Sequence, residues 1–322
     1  MEKDLLDGRV FLSNSGKDYR TPARLDKKAV ADYFAKIGYM PLEVNQAYRN
    51  GHGRLLKNGR VFFFKMASTP DIGERTYNEM VWNINIENAI KNSGIRLFSV
   101  PLVCDCGYFE NKFYFITRYY DGRFLAYKKP PRRENLINWV EKIVECNIFF
   151  LNLKLIRFPR DENEFASTKS FSKEFYEQDL KLIKDLREFG LEEILEEEKL
   201  IDKIYNPGIT HGDFVPWHMI DRGHSFVLID GEHGSSVLPR YYDIVYFYHR
   251  VYTGAEAPEI AKIYLNKIMG TLSPSEKDIF KKSIRPLLAS RIITGFWRAK
   301  NYKDNLAFNL KLRDAFIKNE FL

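Results

Sequence analysis

The residue types best suited to catalysis are concentrated between residues 209 and 234, in the segments ITHGDFVPWHMI and FVLIDGEHG. The second segment opens with an apolar run and ends on acids, which predicts a buried strand whose last side chains point into a cleft. Paired carboxylates there suit magnesium-dependent phosphoryl transfer, in which one orients a hydroxyl and the other holds the metal. The residues that could carry this chemistry are His211, Asp213, His218, Asp230 and Glu232.

A lysine lies inside the apolar run VFFFKMA, at position 65. An unpaired charge is costly to bury, so Lys65 needs an anionic partner unless it reaches solvent from a strand edge. Glu74 and Glu79 both fall on the helix predicted next. An acid in the first turn of a helix is favoured by the helix dipole, so Glu74 needs no functional reason. Glu79 is therefore the favoured partner, the alternative being a solvated helix charge.

The elements that must position these residues are β-rich at first and helical later. The pattern predicts a helix over 26–37 opening on Asp26, a hairpin turn at Asn58-Gly59 and a glycine-bearing turn over 49–54. The remaining predicted elements of this part are strands at 41–48, 60–68, 97–106 and 112–119, and a helix at 73–92.

From residue 132 onward the apolar spacing is helical, apart from one short β-rich island over 208–237. The predicted helices before that island cover 134–153, 171–189 and 191–204. This pattern predicts an α+β fold with three regions: an N-terminal extension (1–40), a small β-rich lobe (41–120) and a mainly helical lobe (121–322).

Composition excludes several classes of protein. The chain has 322 residues, of which 45% are hydrophobic and 29% charged, so a wholly disordered chain is excluded. No apolar run is long enough for a membrane span, and the acidic N-terminus does not fit a signal peptide. The three cysteines, Cys104, Cys106 and Cys146, fit neither a disulfide framework nor a common zinc site. We therefore expect a reduced, cytoplasmic protein without a membrane partner.

The net charge of +7 is unevenly distributed. Residues 271–322 contain 11 Lys or Arg and 5 Asp or Glu, whereas residues 191–202 contain six acids and one lysine. A basic chain with 15% aromatic residues could bind nucleic acid. Most of the aromatics lie in apolar runs typical of buried strands, so nucleic-acid binding is not favoured. The sequence carries no signal for an oligomeric state.

The catalytic segment resembles a known family. HGDFVPW (211–217) is similar to the H-G-D-F-x-P-W loop of the aminoglycoside phosphotransferase and choline kinase-like family, small-molecule relatives of the protein kinases. LIDGE (228–232) resembles the family's metal-binding segment, and PRYYDI (239–244) resembles a later segment whose acid is structural. The resemblance implies a bilobal protein-kinase-like fold and ATP-dependent transfer of the γ-phosphate to a hydroxyl of a small molecule.

The resemblance also implies roles for particular residues. Asp213 would be the catalytic carboxylate, with His211 supporting its loop. Asp230 would bind Mg²⁺, with His218 and Glu232 as further metal contacts. The implied nucleotide-binding residues are Lys65 and Glu79 at the phosphates, Gly51 and Gly53 in a loop over them, and Tyr119 and Tyr120 in the hinge that holds the adenine.

Position 218 departs from the family, which places Asn there. Histidine offers nitrogen, a poorer ligand for Mg²⁺ and a better one for Mn²⁺. Three consequences stay open: His218 binds metal with a shift towards Mn²⁺, it leaves one metal position empty while Asp230 holds the other, or the chain binds nucleotide without fast transfer.

Two other functions compete with a small-molecule kinase. One is a nucleotide-binding pseudokinase with a regulatory or scaffolding role, favoured by His218. The other is a metal-dependent hydrolase, which would leave Lys65 without a role and would be built on His211, Asp213, His218, Asp230 and His233. In the family the C-terminal helices line the acceptor pocket, and the +6 charge of residues 271–322 is unfavourable there for a polycation such as an aminoglycoside.

Overall fold

A computed structural model describes residues 17–19, 21–126, 133–164, 171–302 and 305–321. The helices are α1 (Lys27–Lys36), α2 (Pro70–Ser93), α3 (Arg133–Leu136), α4 (Val140–Asn152), α5 (Pro159–Glu164), α6 (Phe171–Lys184), α7 (Glu192–Glu198), α8 (Ile201–Ile204), α9 (Tyr242–Thr253), α10 (Pro258–Thr271), α11 (Pro274–Tyr302) and α12 (Leu306–Ile317). The strands are β1 (Met40–Ala47), β2 (Asn50–Lys57), β3 (Arg60–Ala67), β4 (Phe98–Ser99), β5 (Val103–Phe109), β6 (Lys112–Arg118), β7 (Met219–Asp221) and β8 (Phe226–Leu228).

The chain divides into two compact units, each made of three segments. The first unit contains Met1–Gly122, Ile156–Ala166 and Ser225–Gly234. The second contains Arg123–Leu155, Ser167–His224 and Ser235–Leu322. The first unit holds an antiparallel sheet and the second is mainly helical, which confirms the predicted α+β class.

An antiparallel sheet in the order β1-β2-β3-β6-β5 forms the centre of the first unit. The predicted Asn-Gly hairpin joins β2 to β3, with Asn58 at φ 50° and Gly59 at φ 72°. Both values lie in the left-handed region that tight hairpin turns require. Lys65 therefore lies on β3, an interior strand, and its side chain is only 12% exposed. An interior position excludes the alternative of an edge lysine that reaches solvent.

The predicted glycine turn over 49–54 is wrong. The turn between β1 and β2 is at Tyr48 and Arg49, and Gly51 and Gly53 lie within β2, opposite β1. Close packing explains both glycines. A Cβ on Gly53 would lie 2.0 Å from the carbonyl oxygen of Glu43, and one on Gly51 would lie 2.5 Å from the Leu25 side chain. Glycine is used here for close approach and not for a turn conformation.

Helix α1 belongs to the core of the first unit. Asp26 caps it by accepting hydrogen bonds from the backbone N–H groups of Lys28 and Ala29, as its position before the helix predicted. Val30 and Phe34, one turn apart, are both buried, and the Phe34 ring lies 4.5 Å from that of Phe64 on β3. Part of the predicted N-terminal extension thus supplies core side chains.

The single strand predicted over 97–106 is divided in two. β4 pairs in parallel with β8, at Phe98 and Phe226, whereas β5 pairs with β6 in the antiparallel sheet. Pro101 lies between the two strands and has no N–H to donate to a ladder. The β4 pairing places the segment that follows β8, with its two acids, in the first unit.

The second unit is built around α9, α10 and α11. Buried Phe247 on α9 packs its ring 4.6 Å from that of Tyr264 on α10. The helix predicted over 191–204 is two short helices, α7 and α8, and the one predicted over 171–189 ends as a helix at Lys184. Among the described residues, no helix has both the length and the apolar character that crossing a bilayer would need.

Candidate functional site

In the first unit, one ammonium group contacts three carboxylates. Lys65 Nζ donates hydrogen bonds to Glu79 Oε2 at 2.5 Å, to Asp230 Oδ1 at 2.7 Å and to Glu232 Oε2 at 3.5 Å. We call these four residues the Lys65 cluster. Glu79 and Glu232 are both buried, which excludes the alternative that Glu79 is a solvated helix charge.

Helical spacing places the residues of α2 that contact Lys65 and segment 230–234 on one side of the helix. Arg75, Asn78, Glu79 and Trp82 lie on one face, since residues three and four apart are neighbours on a helix. Asn78 Nδ2 donates to the carbonyl oxygens of Glu232 at 3.2 Å and Gly234 at 3.0 Å. This face of the helix therefore holds the backbone of segment 230–234 beside Lys65.

The favoured pairing of Lys65 with Glu79 is present, and Glu74 has other contacts. Glu74 accepts a hydrogen bond from the Tyr19 hydroxyl at 2.8 Å and forms an ion pair with Lys17. Its place near the start of α2 is the one that the helix dipole favours for an acid. Spacing along the helix therefore separates the two glutamates.

Asp230 and Glu232 approach Lys65 from a tight bend at the end of β8. Asp230 adopts φ 66° and ψ 44°, a left-handed conformation uncommon for a residue with a side chain. Glu232 also forms an ion pair with Arg49, at the turn between β1 and β2. The sequence analysis did not identify Arg49 as a residue of this site. Its only signal in the sequence was its position between a predicted strand and two glycines.

The charges within the cluster shift its pKa values in opposite directions. Burial raises the pKa of Glu79 to about 7, although Lys65 opposes the shift. Burial would also raise the pKa of Glu232, but Lys65 and Arg49 hold it well below its usual value. Burial disfavours the charge on Lys65, yet Asp230 and Glu79 keep its pKa well above the usual value. Lys65 thus stays protonated among an excess of carboxylates.

The donor set of the Lys65 cluster fits a hard divalent cation. Carboxylate oxygens of Glu79, Asp230 and Glu232 lie within 4.8 Å of one another. Mg²⁺ prefers oxygen ligands, and three carboxylates around one ammonium leave negative charge for a cation to balance. The residues present therefore fit the magnesium that the sequence implied.

In the second unit, the HGD segment is held by a buried carboxyl group. Asp243, near the start of α9, accepts hydrogen bonds from the backbone N–H groups of His211 at 2.5 Å and Gly212 at 2.9 Å. Gly212 has φ 78°, a conformation that few other residues adopt readily. Burial raises the pKa of Asp243 to about 7, and the two N–H donors oppose that shift.

The rings of His211 and His218 both serve the loop around Asp213. The backbone N–H of Asp213 donates to His211 Nδ1 at 3.3 Å. His218 Nδ1 lies 3.0 Å from the carbonyl oxygen of Asp213, and since a carbonyl only accepts, Nδ1 carries the proton. In this tautomer Nε2 of His218 holds the lone pair that a metal ligand needs. Asp213 Oδ2 lies 3.8 Å from the same Nδ1.

The predicted hinge residues follow β6. The backbone N–H of Tyr119 donates to the Val61 carbonyl at 3.3 Å, and the Tyr120 hydroxyl accepts from the Leu102 N–H at 3.2 Å. Both contacts fix the strand end. A role in holding adenine stays a prediction.

Comparison with known proteins supports the fold but not a closer relationship. No protein-family model and no curated protein matches the sequence. Among solved structures, a thermostable mutant of aminoglycoside phosphotransferase APH(4)-Ia, in a ternary complex with ADP and hygromycin B, aligns at a TM-score of 0.62 and 14% identity. The alignment covers 91% of this chain and 98% of that one.

Two further solved structures also align with most of this chain. The GDP complex of aminoglycoside 2'-phosphotransferase-IIIa aligns at a TM-score of 0.60 and 12% identity over 92% of this chain and 99% of that one. Macrolide 2'-phosphotransferase MphH from Brachybacterium faecium aligns at a TM-score of 0.54 and 13% identity. This alignment covers 90% of this chain and 97% of that one. At these identities the likeness establishes a shared fold. The resemblance seen in the HGDFVPW segment is thus confirmed at the level of the fold.

Proposed function

We propose that this chain is an ATP-dependent phosphotransferase that transfers the γ-phosphate to a hydroxyl group of a small molecule. The observation that carries the proposal is the Lys65 cluster, in which a buried lysine on β3 pairs with Glu79 on α2 and with Asp230 after β8. A phosphate-binding lysine oriented by a helix glutamate, together with a metal-binding acid, is the arrangement that kinase-like phosphoryl transfer uses.

Each residue then has a defined task. Lys65 donates hydrogen bonds to phosphate oxygens, and Glu79 holds its ammonium group in place. Asp230, with Glu232, would hold Mg²⁺, which neutralises charge on the phosphates when bound. Gly51 and Gly53 let β2 lie close to β1, and Tyr119 and Tyr120 follow β6 where a nucleotide base would bind.

Asp213 is the acceptor-side residue. It orients the acceptor hydroxyl and takes its proton as the new oxygen–phosphorus bond forms and the bond between the β- and γ-phosphates breaks, leaving ADP. Asp243 supports this role because its carboxyl group fixes the backbone of His211 and Gly212, directly before Asp213. His211 in turn accepts from the Asp213 backbone.

The test has two steps, which separate binding from transfer. Thermal unfolding is first measured with ATP and either Mg²⁺ or Mn²⁺, and we expect a rise in Tm that Lys65→Ala removes. The protein is then incubated with γ-labelled ATP, Mg²⁺ and a protein-free extract of small molecules. We expect label to move onto a small molecule with the native chain and not with Asp213→Asn. A protein whose Tm does not respond to ATP would contradict the proposal.

His218 favours a second candidate, a nucleotide-binding protein without transfer. Its ring donates within the catalytic loop, where the family has a metal-binding amide. A Tm rise with ATP and no transfer to any acceptor would support this pseudokinase function. The hydrolase alternative is less favoured because the Arg75 guanidinium, which can only donate, lies 2.7 Å from His233 Nδ1, so that the lone pair of Nδ1 is already used as an acceptor.

A further inference from the structure

One face of α9 carries two tyrosines and an arginine at intervals of four residues. Tyr242, Tyr246 and Arg250 thus lie in line along the helix. The rings of Tyr242 and Tyr246 stack with centroids 5.8 Å apart and an interplanar angle of 15°. Both tyrosines are half-buried, whereas Arg250 is buried.

Helix α11 brings two further arginines to the same region. Arg291 lies 5.3 Å from the ring centroid of Tyr242 and 5.6 Å from that of Tyr246. Its Nη1 donates to the Tyr242 hydroxyl at 3.2 Å. Arg298 follows seven residues later, which is two turns along α11 and on the same face. Both arginines are half-buried.

The same region adjoins Asp213. Trp217 lies four residues after Asp213, and the guanidinium of Arg250 is 5.1 Å from its ring centroid. Burial and the charge of Asp213 raise the pKa of Tyr246, whereas Arg250 and Arg298 lower it. One phenol is therefore within electrostatic reach of the catalytic carboxylate and of two guanidinium groups.

A buried carboxyl pair, Asp179 and Glu198, lies behind Arg291. Burial raises the pKa of both groups, so each is ionised less readily than an exposed acid. Burial therefore works against the negative charge that would offset Arg291.

We propose that the acceptor alcohol carries an anionic group, either a carboxylate or a phosphate, which binds to Arg291 and Arg298 while its hydroxyl meets Asp213. This inference rests on the proposed function and specifies the substrate class of that site. Guanidinium groups bind planar carboxylates and phosphates through paired, charge-assisted hydrogen bonds. A polycation such as an aminoglycoside would be repelled by the same three arginines.

Binding of three related alcohols tests the proposal without knowledge of the natural acceptor. Glycerate carries a carboxylate, glycerol 3-phosphate carries a phosphate, and glycerol carries neither. Isothermal titration is performed on the full chain with Mg²⁺ and the non-hydrolysable analogue AMP-PNP. We expect at least one anion to bind with a Kd about tenfold or more below that of glycerol, and the stronger of the two identifies the anionic group.

Variants on α11 locate the binding site. Arg298→Gln should weaken binding of the preferred anion about tenfold, and Arg298→Lys should retain part of it because the positive charge remains. Lys281→Gln removes the same charge from an exposed position of the same helix and should leave the Kd unchanged. Arg291→Gln should act like Arg298→Gln, provided that its thermal unfolding curve shows a folded protein.

The outcomes separate this inference from the function on which it rests. Equal binding of glycerol and both anions, no saturable binding of either anion, or an Arg298→Gln variant with native affinity would each overturn the inference. The Tm rise with ATP depends on Lys65 and Asp230 in the first unit, and transfer of label to a small molecule depends on Asp213, so these two measurements report on the proposed function. If both are retained while anion binding fails, the chain is a phosphotransferase with a different acceptor.

Discussion

The Lys65 cluster and the loop around Asp213 hold their key side chains by different means. In the cluster, one ammonium group faces three carboxylates, and the guanidinium group of Arg49 pairs with one of them, Glu232. Around Asp213, the contacts are hydrogen bonds from backbone N–H groups to a buried carboxyl group and to a histidine ring. The cluster is therefore organised by charge and the loop by backbone geometry.

This difference has consequences for substitution. Charges in the cluster act on one another, so removal of any member changes the environment of the rest. The loop holds a single carboxylate, Asp213, in a defined position, and the groups that hold it do not substitute for it. We expect coupled, moderate effects in the first region and one large effect in the second.

The largest expected effect is that of Asp213→Asn. The amide cannot accept the hydroxyl proton, and general bases contribute about 10²- to 10⁴-fold to rate, so kcat should fall within that range. The Tm rise with ATP should be unchanged because the Lys65 cluster is intact. Steady-state ADP release measures the first quantity and thermal unfolding the second.

An exposed acid on α8 provides the control. Asp202→Asn removes the same charge within the second unit and should leave kcat as it is. If Asp213→Asn kept more than about a tenth of the native rate, Asp213 would not be the base.

The next effect is that of Lys65→Ala, which should weaken ATP binding by about 10- to 100-fold, the range for hydrogen bonds to charged groups. Glu79→Ala should act in the same direction but more weakly, and the double variant should lose less than the sum of the two. A double-mutant cycle on the Kd for ATP measures the coupling.

The matched control for this cycle is Glu74→Ala, on the same helix but in contact with Lys17 and Tyr19. It should leave the Kd unchanged and add nothing to Lys65→Ala. Strictly additive losses for Lys65 and Glu79 would show that the ion pair does not act as a unit.

Both regions should contribute to the pH dependence of the free energy of unfolding. Burial raises the pKa values of Glu79 and Asp243 to about 7, from ordinary values of 4.5 and 3.8. Between these limits each of these two groups binds more protons in the folded chain than in the unfolded chain, so each contributes a fall in the free energy of unfolding as pH rises from about 4 to about 7. Buried His233 and His249, whose pKa values are lowered, contribute in the opposite direction. Urea unfolding across this range measures the slope.

Two variants measure how much of that slope each region contributes. Glu79→Gln and Asp243→Asn should each flatten part of it. Asp243→Asn should also lower stability by about 1–3 kcal/mol, because one amide oxygen cannot replace both carboxylate oxygens as acceptors for the two N–H groups. A slope that is the same in the native protein and in both variants would show that neither carboxyl group has a raised pKa.

The smallest expected effect concerns His218. If its Nε2 binds metal, His218→Asn should restore an oxygen ligand, so activity with Mg²⁺ should hold or rise and any preference for Mn²⁺ should shrink. Rates with both metals for both proteins provide the measurement. If the ratio of the rate with Mg²⁺ to the rate with Mn²⁺ is the same in both proteins, His218 is not a metal ligand.

Local chemistry made several features predictable from the sequence. The Asn58-Gly59 turn, the Asp26 cap and the pairing of Lys65 with Glu79 depend on short-range conformational preference, helical spacing and the cost of burying a lone charge. The HGDFVPW segment indicated the fold because its residue types and spacing are specific. These rules act within a few residues along the chain or within one element.

Contacts between distant segments decided the rest. Gly51 and Gly53 have the residue types of a turn, and only the register of β1 against β2 shows that they allow close approach. Arg49 meets Glu232 across 183 positions of sequence. The grouping of Tyr242, Tyr246 and Arg291 requires α9 and α11 to pack together. The sequence determined which residues carry charge and which elements they occupy. Packing between elements determined which charges come into contact, because electrostatic interactions depend on distance in space.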